Sequence, residues 1–349
     1  MGPIGLIDPF EQITAQAVRD LAACGAAPKI GFAEKLRAFF GRKTAPFDPL
    51  NWPAGMLLLG LWEAGEEEAV KHYFDCWLEG DGAVLRVDDA LAGAVLAELF
   101  RAGADARYGE AVKKVYDFLQ AAPKNEEGCL YYRPGDGREA VFADGAGMAA
   151  LFYVRYAMAF SDEAALRAAR NELAGFFRHG TDAETGLPWH AYTLREDKKL
   201  GILGWGRAAG WLLLGLSAYE QATEAVGDEE MRDWYRDLCR AAAKRQAPEG
   251  LFPWQLAEGV AQTDTSASGM IAYAMMTGNY LQMEETGEET DAVTRCVSAL
   301  WDAAQDGTVG GALAECRDLG DHPQTYGHYP WGQGAALLAL SLSRRLQTR

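Results

Sequence analysis

Four aspartates stand just ahead of apolar runs in this chain. Asp88 and Asp89 lie in VDDALAG (87–93), Asp144 in FADGAGM (142–148) and Asp264 in TDTSASGM (263–270). Each has an ordinary explanation, since aspartate is a favoured helix N-cap. Taken together beside tryptophans, such carboxylates also suit acid/base work on a sugar. A second cluster, GWGRAAGW (204–211), puts Arg207 between Trp205 and Trp211. Arginine can grip a carboxylate with a planar fork, and indole faces stack on sugar rings. The competing reading has the indoles packing a core and Arg207 paired with Asp144 or Asp264. The glycine pattern in 204–210 follows no strand, which excludes a dinucleotide-binding turn. His190 sits in GLPWHAY (186–192), between Trp189 and Ala191. It reads either as a structural histidine or as part of the same site.

The elements that must position these residues are helices of two kinds. Glu66–Leu78, Ala106–Gln120, Asp162–His179, Glu229–Arg245 and Glu289–Ala304 are amphipathic. In the second, Val112, Val115, Tyr116 and Leu119 form one face; Lys113, Lys114, Asp117 and Gln120 form the other. Ala54–Leu61, Ala90–Phe100, Met148–Phe160, Trp211–Tyr219, Met270–Met276 and Ala335–Leu342 are apolar nearly all round, as expected of helices buried on most faces. Gly-rich segments bearing Trp or Asp precede most of them, starting at residues 51, 87, 142, 204, 263 and 328. After a shorter first interval the spacing is about 60 residues, too long for the common short solenoid repeats. One helix out and one helix back, six times, gives an all-α (α/α)6 barrel of one domain over residues 1–349. The first outer helix falls at Phe10–Ala23 or Phe32–Phe40.

In such a barrel the inner helices run parallel and start at one mouth. Trp52, Asp88, Asp89, Asp144, Trp205, Arg207, Asp264, His328 and Trp331 then converge, and a loop over 187–192 adds Trp189, His190 and Tyr192. Six helix N-termini aimed at this mouth, with Arg207 and His190, favour a small anionic ligand. That preference opposes the net charge of −17, which speaks against nucleic acid or an anionic membrane surface as partner.

Cys24, Cys76, Cys129, Cys239, Cys296 and Cys316 form no C-x-x-C pair and read as reduced thiols of the core. His322 and His328 lack the spacing of a helical metal pair, and with no Cys/His cluster a catalytic metal is not expected. No nucleophile elbow is present. No signal peptide or membrane span is visible, which makes the expected location cytoplasmic. Oligomeric state is left open.

The pieces VDDALAG, VFADGAGM, GLPWHAY, GWGRAAGW and DTSASGM, in this order over about residues 50–345, resemble the unsaturated glucuronyl and rhamnogalacturonyl hydrolases of glycoside hydrolase families 88 and 105. The resemblance implies an (α/α)6 barrel and a hydrolase without cofactor. It implies oligosaccharide substrates ending in a 4,5-unsaturated uronic acid, whose enol ether double bond is hydrated. The catalytic aspartate then falls on Asp144, the second acidic residue on Asp88, and the aromatic and basic pocket on Trp189, His190, Trp205, Arg207 and Trp211. Ala209 stands where members often carry Asn, and Gly145 where they often carry a bulkier residue. The pocket is then either roomier or tuned to another sugar.

One tension follows. A helix N-terminus lowers an aspartate's pKa, yet Asp144 must be protonated to act as an acid. An ionised Asp88 and burial among tryptophans are expected to raise it. Two other readings are an inverting glycosidase using Asp144 with Asp88 or Asp264, and a non-catalytic sugar-binding scaffold. A sugar epimerase on a similar barrel is disfavoured, since only one of five histidines lies in a strong motif.

Overall fold

The computed structural model describes residues 8–26, 47–103, 105–225, 227–257, 262–277 and 288–348. Among these, twelve α-helices alternate between two rings. The outer ring is α1 (Pro9–Gly25), α3 (Glu67–Glu79), α5 (Ala106–Ala121), α7 (Glu163–Gly180), α9 (Glu229–Ala243) and α11 (Glu288–Asp302). The inner ring is α2 (Trp52–Glu63), α4 (Ala90–Arg101), α6 (Ala143–Phe160), α8 (Gly206–Thr223), α10 (Thr265–Thr277) and α12 (Pro330–Gln347). Each inner helix packs on the next, and α12 packs on α2, which closes an (α/α)6 barrel. The first outer helix is the segment around Phe10; the alternative, Phe32–Phe40, lies outside the described residues.

Local chemistry starts several of these helices. Asp8, Asp105 and Asp162 accept backbone N–H bonds at the starts of α1, α5 and α7, and Asn51 does the same for α2. Inner helices are buried on nearly every side: all residues from Ala54 to Leu61 in α2 and from Ala143 to Val154 in α6 are buried. Outer helices bury one face, as Tyr108, Ala111, Val112, Val115 and Leu119 do in α5. Tyr116, at the edge of that face, stacks on Tyr156 of α6 at 4.1 Å.

Small residues let the inner helices approach closely. A Cβ on Gly147 of α6 would collide with the Trp211 carbonyl of α8, and one on Gly334 of α12 with the Met56 carbonyl of α2. The C-terminal halves of the inner helices share a charged network at the opposite end from the mouth. Half-buried Arg155 of α6 pairs with Glu98 of α4 at 2.6 Å, and Tyr273 of α10 bonds to Glu63 of α2 at 3.2 Å.

Strands, which periodicity did not announce, shape the mouth. β1 (Val141–Phe142), β2 (Trp189–Thr193) and β3 (Lys198–Leu203) form one antiparallel sheet. β4 (Ala304–Gln305) pairs with β5 (Thr308–Val309), and β6 (Ala312–Leu313) with β7 (Tyr326–Gly327). The segment expected as a loop over 187–192 is therefore largely strand. None of the described helices is long and apolar enough to cross a membrane.

Candidate active site

The three-stranded sheet brings the site together. β1 runs directly into α6, and its Phe142 pairs with Ala191 of β2, so Asp144 in the first turn of α6 arrives beside His190. β3 leads through Gly204, whose φ is +71°, into Trp205 and the start of α8, which carries Arg207. His190 Nε2 lies 3.4 Å from Asp144 Oδ2. That oxygen is buried and accepts no hydrogen bond from the protein.

Asp144, His190, Trp205, Arg207, Trp211 and Trp52 line one narrow pocket. Its remaining walls are Tyr132, Arg133, Phe142, Glu315, Cys316 and Asp318. It shares Trp52, Tyr132, Arg133 and Glu315 as walls with an adjoining cleft of about 600 Å³ whose lining includes Asp88. Trp331 lies along a third lobe with Arg133, Glu315 and Cys316. Trp52 contacts Trp331 at 4.8 Å and Trp211 edge-on at 6.2 Å, which makes a continuous indole surface. Such faces suit the apolar faces of a sugar ring.

Charge at the mouth is arranged locally. The guanidinium groups of Arg133 and Arg138 lie 5.6 and 5.7 Å from the centre of the Phe142 ring. Arg138 also binds Asp318 at 2.5 Å, which fastens the 314–325 segment against the sheet. Burial pushes the Asp88 carboxyl up to about 6 against the pull of Arg86, with smaller upward contributions from Asp48 and Asp144. Burial also pushes the Cys316 thiol up to about 12, with Asp144 adding to the shift. Among the described residues no three His, Cys, Asp or Glu side chains are grouped to hold a metal ion.

The family model for Glycosyl Hydrolase Family 88 matches residues 41–346. The chain belongs to glycosyl hydrolase family 88. The unsaturated rhamnogalacturonyl hydrolase YesR of Bacillus subtilis strain 168 is 26% identical over 312 residues, covering 83% of this chain and 88% of its own. Among solved structures, a possible GH105 member from Klebsiella pneumoniae superposes with TM-score 0.83 at 14% identity, covering 99% of this chain and 95% of its own. An unsaturated glucuronyl hydrolase specific for heparin gives TM-score 0.74 at 14% identity, covering 98% of both chains. These likenesses support the barrel fold.

On the family 88 barrel the expected site residues separate into two sets. Trp52, Asp88, Asp144, His190, Trp205, Arg207, Trp211 and Trp331 reach the connected cavity. Asp89, Trp189, Asp264 and His328 are not on its walls. Asp89 Oδ2 accepts from the Leu85 and Arg86 backbone N–H groups at 2.7 and 3.2 Å, which fixes the turn before α4. Trp189, half-buried, flanks an irregularity in the β2–β3 register that falls between it and Ala191. His328 turns to α1, with Nε2 3.0 Å from Asp20. Tyr192 packs against Phe176 of α7.

Asp264 is a scaffold for Arg207. Its Oδ1 accepts from Ser266 Oγ, Ser266 N and Leu313 N at 2.6, 2.9 and 3.0 Å. Its Oδ2 is 3.2 Å from Arg207 Nη1. Arg207 also donates to the Leu313 and Ala314 carbonyls, each at 2.9 Å, and its guanidinium lies 4.9 Å from the Trp205 ring centre. It lines the pocket, but much of its fork is committed to the protein.

Gly145 does not enlarge the pocket. A Cβ there would lie 2.8 Å from the Tyr132 ring, so the aromatic ring occupies the space a bulkier residue would take. Tyr132 and Arg133 are pocket walls that the sequence reading did not single out, although LYYRPGDG (130–137) sets an aromatic directly before an arginine, much as Trp205 stands two residues before Arg207 in GWGR. Glu315, Cys316 and Asp318 offered no periodic signal. The six cysteines are free; Cys129, Cys239 and Cys296 are buried as expected, whereas Cys76 is exposed.

Proposed function

We propose that this chain removes a 4,5-unsaturated uronic acid from the non-reducing end of lyase-generated oligosaccharides. The observation that carries this reading is the buried, unpartnered Asp144 Oδ2 beside His190 in an indole-lined pocket. Family membership and the name of the Bacillus subtilis relative support the substrate class. Guanidinium groups around Phe142 and the pocket-facing Arg207 suit a uronate carboxylate despite the acidic chain.

In this reading the bound sugar presents its C4=C5 enol ether to Asp144. Asp144 gives a proton to C4, and the electron pair of the double bond forms the new C–H bond. Positive charge develops at C5, shared with the ring oxygen. Water adds at C5 while Asp144, now a carboxylate, takes its proton. The product at C5 is a hemiketal, which opens to a ketone; the hemiacetal left at C1 then releases the next sugar. His190 orients Asp144, and Asp88 holds a second carboxyl at the entrance to the adjoining cleft, where the leaving sugar lies.

The test is incubation of the protein with a panel of lyase-generated disaccharides. Loss of the ultraviolet absorbance of the conjugated double bond, together with release of the reducing-side sugar, is the expected result. Cleavage of saturated glycosides with no loss of that absorbance would replace this reading with an ordinary inverting glycosidase.

A further inference from the structure

Three aromatic rings beside Asp144 carry buried nitrogens that find no partner in the protein. They are His190 Nδ1, Trp205 Nε1 and His322 Nε2. His190 and Trp205 are each 1% exposed. The rings form a compact triangle, with centroid separations of 4.3 Å for His190–Trp205, 5.4 Å for His190–His322 and 5.2 Å for Trp205–His322. Trp254 packs on the outer side of His322 at 5.7 Å. Buried polar nitrogens are rarely left unbonded, and three in one triangle point to a shared bridging molecule.

We propose that His322 is a positioning residue: through one water shared by His190 Nδ1, Trp205 Nε1 and His322 Nε2, it holds the His190 proton on Nε2, facing Asp144. The hydrogen-bond inventory fits one water. The indole N–H only donates, so the water accepts from Trp205. Its two hydrogens then go to His190 Nδ1 and His322 Nε2, which both act as acceptors. A His190 ring that accepts at Nδ1 carries its hydrogen on Nε2, because the bond made by one imidazole nitrogen selects the tautomer of the other. His322 can act as the acceptor because it stays neutral. Burial, then the nearby His190 and Arg207, push its pKa down to about 4, against smaller opposing pulls from Asp144 and Asp321. The 314–325 segment that carries His322 is bracketed by the β6–β7 pairing and tied to the sheet by the Arg138–Asp318 pair.

This inference rests on the role given to Asp144 and His190 above, but its main readout does not need turnover. The full chain labelled with ¹⁵N-histidine is compared with His322→Phe, which keeps a ring and removes the nitrogens, and His322→Gln, which restores an amide able to bond the water. His190→Gln assigns the signals. Expected is a His190 pattern of protonated Nε2 and bare, hydrogen-bonded Nδ1 in the parent chain. It becomes a mixture of tautomers in His322→Phe and returns in His322→Gln. On an unsaturated disaccharide, kcat of His322→Phe falls by about 10-fold or more with KM unchanged, and His322→Gln recovers most of it. The proposal is overturned if the His190 tautomer is the same in His322→Phe as in the parent. It is equally overturned if the parent carries its proton on Nδ1, or if Phe and Gln lose activity alike. A parent chain inactive on every unsaturated disaccharide, with the expected tautomer pattern intact, would fail the proposed function and leave the positioning inference standing.

Discussion

Asp144 Oδ2 and His190 Nε2 stand 3.4 Å apart because a two-residue strand, Val141–Phe142, pairs with Tyr192 and Ala191. The register places the first turn of α6 against the imidazole. Removing the Asp144 carboxyl while keeping its shape is therefore expected to remove proton transfer and little else. Asp144→Asn should lower kcat on an unsaturated disaccharide by about 10²–10⁴-fold. Its circular dichroism and thermal midpoint should stay close to those of the parent. Full retention of double-bond loss in this variant would remove Asp144 from the mechanism.

That relationship also shows how far the sequence reaches. The helices were legible because outer-face alternation and all-round apolarity differ so plainly. The inner helices begin earlier than periodicity implied: α6 at Ala143 rather than Met148, α8 at Gly206 rather than Trp211, α12 at Pro330 rather than Ala335. The glycine-rich segments were expected just ahead of the apolar helices, yet Gly147, Gly210 and Gly334 sit inside helices at points of close contact with a neighbour. Asp144 and Arg207 thus belong to first turns of α6 and α8. The walls built by Tyr132, Glu315 and Asp318 were hidden, since short strands and an ion pair hold them without any repeating pattern. Asp264 and His328 were placed at the right end of the barrel, but their polar atoms are used by neighbouring protein groups.

The Arg207–Asp264 pair is almost fully buried, with side-chain exposures of 2% and 0%. Removing one member leaves a charge without its counterion and unties Leu313 and Ser266. Asp264→Ala should cost about 3–5 kcal/mol in denaturant-induced unfolding. Arg207→Met in the same background should recover part of that loss, because the stranded guanidinium disappears. An equal loss in single and double variants would show that the helix cap, and not the ion pair, dominates.

Buried acids give the fold a pH signature. Burial raises Glu172 from 4.5 to about 8 and Asp88 from 3.8 to about 6. Between those limits these two carboxyls hold protons in the folded chain that they lose in the unfolded one, so the stability they contribute falls as pH rises through the window, against a smaller opposite contribution from His322 below about pH 6.5. Thermal midpoints should decline from about pH 5 to about pH 8. Glu172 accepts from the Leu130 backbone N–H at 3.0 Å, a bond that a neutral amide oxygen can keep. Glu172→Gln should consequently flatten the decline and leave the midpoint at low pH nearly unchanged. A profile that rises over the same interval would contradict the assignment.

Contact between α6 and α8 is set by Gly147 under the Trp211 carbonyl. Gly147→Ala should push the two helices apart and destabilise the chain by about 1–3 kcal/mol. Gly147 lies one turn beyond Asp144, so the same variant should lower kcat more than it raises KM. Unchanged unfolding and unchanged kinetics would mean that the ring has slack the packing does not show.

The seam between α12 and α2 governs how the molecule can be made. While the chain is being synthesised, the surface of α2 around Met56 and Gly60 has no cover until α12 emerges, and Trp52 waits for Trp331. Nascent chains that have formed several hairpins still display this apolar flank, the kind of surface chaperones recognise. The pocket likewise joins indoles and carboxylates from opposite ends of the polypeptide, so substrate binding and completion of the ring become available at the same moment.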